Sequence, residues 1–259
     1  MNQPLASIHP NAKIASDVII SPFVTIEGDV EIGEGCWIGP NVTIFDGARI
    51  GKHVKIYPGA VISAAPQDLK YQGEKTHTYI GDHTIVRECV TVNRGTRDKM
   101  KTVVGDHCLL MAYSHIAHDC IVGNHVILAN LATLAGHILV EDWAILEGMV
   151  AVQQFVTVGA HSFVGGGSLV RKDVPPFVKA AKEPLCFAGV NVIGLRRRGF
   201  SEEMIRQVED IYRIIYVRGY NITKALDIVD SEIAESAEKA RILDFIRSST
   251  YGVIKGMIE

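Results

Sequence analysis

"VGDHCLLMAYSHIAHDCIVGNHVILANLATL", residues 104–134, repeats itself every six positions. An aliphatic residue opens each hexad: Val104, Leu110, Ile116, Val122, Leu128 and Leu134. Four positions after it stands a small or β-branched residue: Cys108, Ser114, Cys120, Val126 and Ala132. That residue lies two before the next aliphatic one, so on an extended chain both point to the same side. The second and third positions after the aliphatic residue form a corner. Glycine often follows the aliphatic residue directly, as at Gly105 and Gly123.

The pattern extends in both directions. It runs on through Val140, Leu146, Val152, Val158, Val164 and Val170 without a miss. Upstream, Ile8, Ile14, Ile20, Ile26, Ile32, Ile38, Ile44, Ile50, Ile56 and Ile62 form a second array, and Ile80, Val86 and Val92 keep the phase between the two. A six-residue period of this length predicts a parallel β-helix, with one short strand per hexad and three hexads per turn. Residues 18 apart then stack on neighbouring coils. Cys36, Cys108 and Cys120 read as small buried fillers, and an odd total of five cysteines without a CxxC pair fits free thiols in a reducing cytoplasm.

Two stretches, 63–79 and 93–103, lack aliphatic residues where the array needs them and read as loops leaving the prism. The first carries Asp68, Lys70 and Tyr71, which favours a functional loop. The array stops at Pro175 and Pro176, which cannot donate to a ladder. Two domains follow from this, a β-helix over 1–188 and a helical part over 189–259. Ser201 is placed as the N-cap of a helix ending at Gly219, with Ile205, Val208, Tyr212 and Ile215 on its apolar face. Shorter helices are expected near 223–235 and 237–248.

Composition bounds the function. The chain has 259 residues and a formal net charge of −3, which gives no bulk attraction to nucleic acid. Arg171, Lys172, Lys179, Lys182 and Arg196–Arg198 make a local basic patch that suits an acidic partner or a phosphate. The first ten residues have no signal-peptide pattern, and no apolar run is long enough to span a membrane.

The chemistry concentrates at one corner. Stacking by 18 puts His118 under Gly136 and Gln154, with Asp119, His137 and Phe155 in the adjacent column. These six are expected as one outward patch on a single edge. His53, His83, His107, His125 and His161 share His137's corner position, which suits residues tolerant of unusual backbone angles. A histidine there needs no function. His118 sits at the preceding corner position, where no other histidine occurs. A carboxylate beside it can orient the ring, and a glycine above it lets a ligand approach the backbone. A rival reading is a zinc centre, since His115 and His118 are three apart, but a third histidine is not evident. A repeat protein without catalysis is a further alternative, disfavoured by the corner patch and the loops. No metal or cofactor is expected.

The motifs "QDLKY" (67–71), "RGT" (94–96), "HIAHDC" (115–120), "LAGH" (134–137), "QQF" (153–155), "DVPPF" (173–177) and "GVNVIGLRRRGF" (189–200) occur in this order. In order and spacing the chain resembles the UDP-N-acetylglucosamine acyltransferases of lipid A biosynthesis, which are left-handed hexapeptide-repeat enzymes. The resemblance implies a left-handed β-helix with a C-terminal helical domain, a cytoplasmic homotrimer, and active sites between subunits. It implies a 3-hydroxyacyl chain on acyl carrier protein as donor and the 3-hydroxyl of UDP-N-acetylglucosamine as acceptor. By the same motifs His118 is the general base, Asp119 its support and the Gly136 N–H the oxyanion donor. Asp68, Lys70 and His115 match contacts to the acceptor sugar and acyl chain, His137 and Gln154 further acceptor contacts, and Asn191, Arg197 and Arg198 nucleotide positions. Gly166 matches a position that sets acyl length. Asn93, Gln153, Ile193 and residues 182–185 depart from the common family pattern, which leaves a 3-amino sugar nucleotide as an alternative acceptor.

Overall fold

The computed structural model describes residues 4–256; the outermost positions of the ranges 1–188 and 189–259 lie outside the described residues. The hexads form a left-handed parallel β-helix with a triangular cross-section. Its three faces are parallel sheets of nine, eight and ten strands among the described residues, the last closed by one antiparallel strand. Most strands are two residues long, and the aliphatic residue of each is the inward one. Ile116 pairs with Leu134 and Val104 with Val122, the 18-residue register expected from the repeat.

The loops are shorter than the sequence suggests, because the ladder runs into their roots. Strands occupy Val61–Ala64, His77–Ile80, Thr91–Asn93 and Lys101–Val104, which leaves 65–76 and 94–100 outside the prism. Ile50 pairs with Ile80 and Ile80 with Val104, offsets of 30 and 24 in place of 18. Both insertions are whole hexads, so the inward phase survives them.

The core is a ladder of fully buried aliphatics that includes Ile38, Ile56, Leu110, Ile116, Leu128 and Leu134. Each contributes on the order of 1.5–3 kcal/mol by burial. Cys108 and Cys120 are free thiols inside this core, and burial pushes them up to about 11 and about 12, so they are inert fillers. The third residue after most of the aliphatic positions takes a left-handed backbone, with φ between 55° and 67° at His53, His107, Asp119, His137, Trp143 and Phe155. That region crowds Cβ against the next carbonyl, and a second branch on Cβ makes it worse. No Val, Ile or Thr occurs among these corners in the described residues. Glycine directly after the aliphatic residue has a packing cause: a methyl at Gly105 would come within 2.6 Å of the Gly123 carbonyl on the next coil.

After Pro176 the strand Val178–Ala181 continues one face and Cys186–Val190 returns antiparallel to it, spanning the sequence-drawn boundary at 188/189. Four helices follow: α1 (Val192–Arg197), α2 (Glu202–Tyr216), α3 (Ile222–Glu232) and α4 (Ala237–Ser248). Ser201 caps α2, its Oγ accepting from the Met204 N–H at 3.2 Å. Tyr212 on the apolar face of α2 donates to the Pro176 carbonyl at 2.6 Å and ties the helices to the prism. The short α1 was not anticipated, being only six residues with no apolar period of its own. No helix among the described residues is long and apolar enough to cross a membrane.

Candidate active site

His118 and Asp119 occupy consecutive corner positions, and the left-handed backbone of Asp119 (φ 61°) turns its carboxylate back to the imidazole. His118 Nδ1 stands 2.9 Å from Asp119 Oδ2. An ionised carboxylate only accepts, so Nδ1 carries the proton and Nε2 is left as the lone-pair nitrogen of the neutral ring. Nε2 lies 4.0 Å from Oδ2 of Asp68, which the 65–76 loop brings over the corner. Above the ring there is room only for glycine: a Cβ at Gly136 would sit 2.6 Å from His118 Cε1 and 2.7 Å from Nε2. The Gly136 N–H has no protein acceptor among the described residues.

The six-residue patch forms on one edge, but it does not face outward as a whole. His118 is 5% exposed and Asp119 0%, while Gln154 and Phe155 remain exposed. The cause is the 94–100 loop, which the Asp119 carboxylate draws down. Thr96 donates to it twice, N–H to Oδ1 at 3.0 Å and Oγ1–H to Oδ2 at 2.6 Å, and the Lys99 N–H adds a longer bond at 3.3 Å. Burial alone would raise this carboxyl; the hydrogen bonds from Thr96 and His118 outweigh it and hold the group below the usual carboxylate range. The loop's other corner is Arg94, whose Nε donates to Tyr71 Oη at 3.1 Å and clasps the two loops together. Thr96, Arg94 and Thr102, whose hydroxyl accepts the Asp119 N–H at 2.9 Å, were not singled out from the sequence. The RGT motif was visible there, but a loop has no period from which the reach of its side chains can be computed.

His137 crosses His118 edge-on with ring centroids 5.0 Å apart and stacks on Phe155 at 4.7 Å. Its Nδ1 is 3.1 Å from Asp98 but outside hydrogen-bond geometry. Asp68, Lys70, Thr96, Asp98, His137 and Phe155 line a cavity of about 280 Å³ beside the dyad. A larger cavity of about 1040 Å³, near residues 7–11, is lined by none of the candidate catalytic or substrate-binding residues. His115 is one strand before, its Nδ1 2.7 Å from the Thr91 hydroxyl, and burial lowers its basicity.

As a cation site the corner is poorly supplied. Ligand atoms of His118, Asp119 and His137 fall within 4.8 Å of one another. The Asp119 oxygens, however, already accept four donors between them.

The remaining candidates lie on other edges of this chain. Asn191 is buried, caps α1 through the Gly194 N–H and donates to the His161 carbonyl at 2.9 Å. Arg198 lies over the Trp143 ring at 5.3 Å, on the His161 edge. Arg197 is exposed beside it. Gly166 stacks on Gly148 along the third edge, where Tyr113, Leu131 and Met149 form an exposed apolar stripe. Of the basic patch, Arg171 pairs with Glu183, Arg196 with Glu202, and Lys172 donates to the Tyr251 carbonyl.

A repeated prism with a histidine–carboxylate pair at one corner defines a hexapeptide-repeat transferase, and a bacterial transferase hexapeptide model matches residues 29–64 and 101–136. A second model, described as domain 2 of UDP-N-acetylglucosamine O-acyltransferase, matches residues 173–254. A protein of Pseudomonas aeruginosa named acyl-[acyl-carrier-protein]–UDP-N-acetylglucosamine O-acyltransferase is 44% identical over 97% of this chain and 98% of its own length. The crystal structure of a UDP-N-acetylglucosamine acyltransferase from Bacteroides fragilis superposes with a TM-score of 0.96 at 46% identity, covering 98% of this chain and 100% of that one. That from Francisella novicida gives 0.95 at 37%, covering 98% and 94%. The chain belongs to the UDP-N-acetylglucosamine O-acyltransferase family.

Proposed function

We propose that the protein transfers a 3-hydroxyacyl chain from acyl carrier protein to the 3-hydroxyl of UDP-N-acetylglucosamine, the first step of lipid A biosynthesis, in the cytoplasm. The observation that carries this reading is the buried His118–Asp119 pair, with its free Nε2 directed to the side of the Asp68 loop. His118 Nε2 takes the proton of the sugar hydroxyl as its oxygen attacks the thioester carbonyl. The oxyanion that forms is met by the unpaired Gly136 N–H. Collapse breaks the C–S bond, and the leaving thiolate takes the proton back from His118. Asp119 keeps the imidazole in the tautomer that makes Nε2 the base, and such a base is worth about 10²–10⁴ in rate.

Asp68, Lys70 and His115 contact the sugar and the start of the acyl chain, and His137 and Gln154 the acceptor. Asn191, Arg197 and Arg198 hold the nucleotide, where a guanidinium suits a diphosphate. Because these three and Gly166 stand on edges other than that of His118, one chain does not complete the site. A homotrimer, in which edges of neighbouring prisms face each other, does. Gly166 then lets a long acyl chain pass along the partner prism, and Gly166→Met shifts preference to shorter donors.

The test is mass spectrometry of products from a mixed pool of 3-hydroxyacyl carrier-protein thioesters offered UDP-N-acetylglucosamine and its 3-amino analogue together. An ester of UDP-N-acetylglucosamine is expected. Exclusive amide formation would reassign the acceptor, and no acylated sugar nucleotide would sink the proposal.

A further inference from the structure

Thr96 supplies two of the four hydrogen bonds to the Asp119 carboxylate and none to the His118 ring. Its hydroxyl donates to Oδ2, the same oxygen that receives the His118 Nδ1 proton, at 2.6 Å. Its backbone N–H donates to Oδ1. The hydroxyl in turn accepts the Asp98 N–H at 3.3 Å, so every proton in the chain Asp98, Thr96, Asp119, His118 has a fixed direction. A hydroxyl has one proton to give, and this one has been committed to the carboxylate.

We infer that Thr96 is a positioning residue that sets how strongly Asp119 pulls on His118, and so keeps the base unprotonated at the pH where it works. Two donors from Thr96 withdraw negative charge from the carboxylate. What remains is enough to fix the imidazole tautomer but attracts an imidazolium less than a bare carboxylate would. Removing the hydroxyl lets Oδ2 act on His118 with fuller charge, which favours the protonated ring, and a protonated ring is no base. Removing it also frees one anchor of the 94–100 loop, but the Thr96 and Lys99 N–H bonds stay.

Other charges face the ring, and none of their side chains bonds the Thr96 hydroxyl. Asp68 approaches Nε2 from the 65–76 loop, and His137 lies across the ring from the next coil with Asp98 behind it. Their contribution is common to wild type and variant, so a difference between the two reports the hydroxyl.

The inference rests on His118 being the base, and the experiment separates the two. Thr96→Val keeps the shape and removes the hydroxyl. At pH values below the acid limb its kcat is expected to fall about threefold, the factor that half a pH unit of added protonation carries. KM for either substrate stays within about twofold, and the acid limb of the kcat/KM profile moves up by about half a pH unit. Thr96→Ser restores both. Should valine prevent folding, Thr96→Ala gives the same readings. An unmoved acid limb, or a loss that serine does not rescue, reduces Thr96 to a structural anchor and overturns the inference. His118→Ala is run alongside. If it is inactive while Thr96→Val behaves as wild type, only the Thr96 inference fails; if His118→Ala is active, the catalytic reading fails with it.

Discussion

Along one edge of the prism His53, His83, His107 and His125 stack ring on ring at 4.9 Å, and the first three are exposed. On another edge His118 and His137 meet edge-on, with His118 buried. Both edges have carboxylates nearby, but they are spent differently. Along the imidazole ladder, Asp82 accepts the Lys52 N–H and Asp106 accepts the Asp82 N–H, each at 2.7 Å. Those carboxylates stitch coil to coil and leave the rings to water. Asp119 instead holds an imidazole, and a loop excludes water from the pair. The repeat supplies many corner histidines; at His118 a carboxylate is diverted from backbone to ring and a loop covers both.

Crowding the covered corner gives the largest effect short of deleting it. Gly136→Ala puts a methyl against Cε1 and Nε2 of His118. The ring must shift, and a displacement near 1 Å costs about a hundredfold in rate. Initial rates should fall by that factor while circular dichroism stays that of wild type. Retention of full activity would show that the close approach of glycine and imidazole has no bearing on turnover.

A smaller effect concerns pH and the end of the ladder. Burial, with Arg198 and Arg241 adding like charge, lowers His161 from 6.5 to about 4. Between those values the unfolded chain binds a proton that the folded one refuses. His161 therefore contributes stability above about 6.5, and that contribution is lost as the pH falls toward about 4. His161→Gln should flatten the decline of Tm across this window. An equal slope in both proteins would mean that His161 is protonated in the fold.

The smallest effect is expected on the open ladder. His107→Ala removes an exposed ring from the middle of the stack, and stability should change by no more than about 0.5 kcal/mol, as for other surface sites. Acyl transfer should be unchanged. A large loss of activity there would erase the distinction between the two edges.

How much of this could be read in the sequence follows from what is periodic. Ile116, Leu134 and Val152 fix the coil, and adding 18 to His118 finds Gly136 and Gln154 without coordinates. The corner backbone was also foreseeable, since His, Asp, Asn and bulky unbranched residues gather at one position of the hexad. The covering of the site was not. Thr96 lies in a loop without a period, and its two bonds to Asp119 depend on a path that hexad counting cannot trace. The same holds for Asn191 and Arg198, which lie past the last hexad, so that their edge is set by the return strand Cys186–Val190 and α1. The expectation of an outward dyad came from treating the corner as bare.

The central claim is that the covered imidazole, alone among the corner histidines, performs the reaction. It is tested most directly by the initial rate of acyl transfer from carrier-protein thioester to UDP-N-acetylglucosamine for His118→Ala, beside wild type at saturating substrates. The account predicts a loss of about 10²–10⁴ in kcat with the circular dichroism of the wild-type fold. A folded variant that keeps more than about a tenth of the wild-type rate would contradict it, because a general base of that magnitude could not be absent.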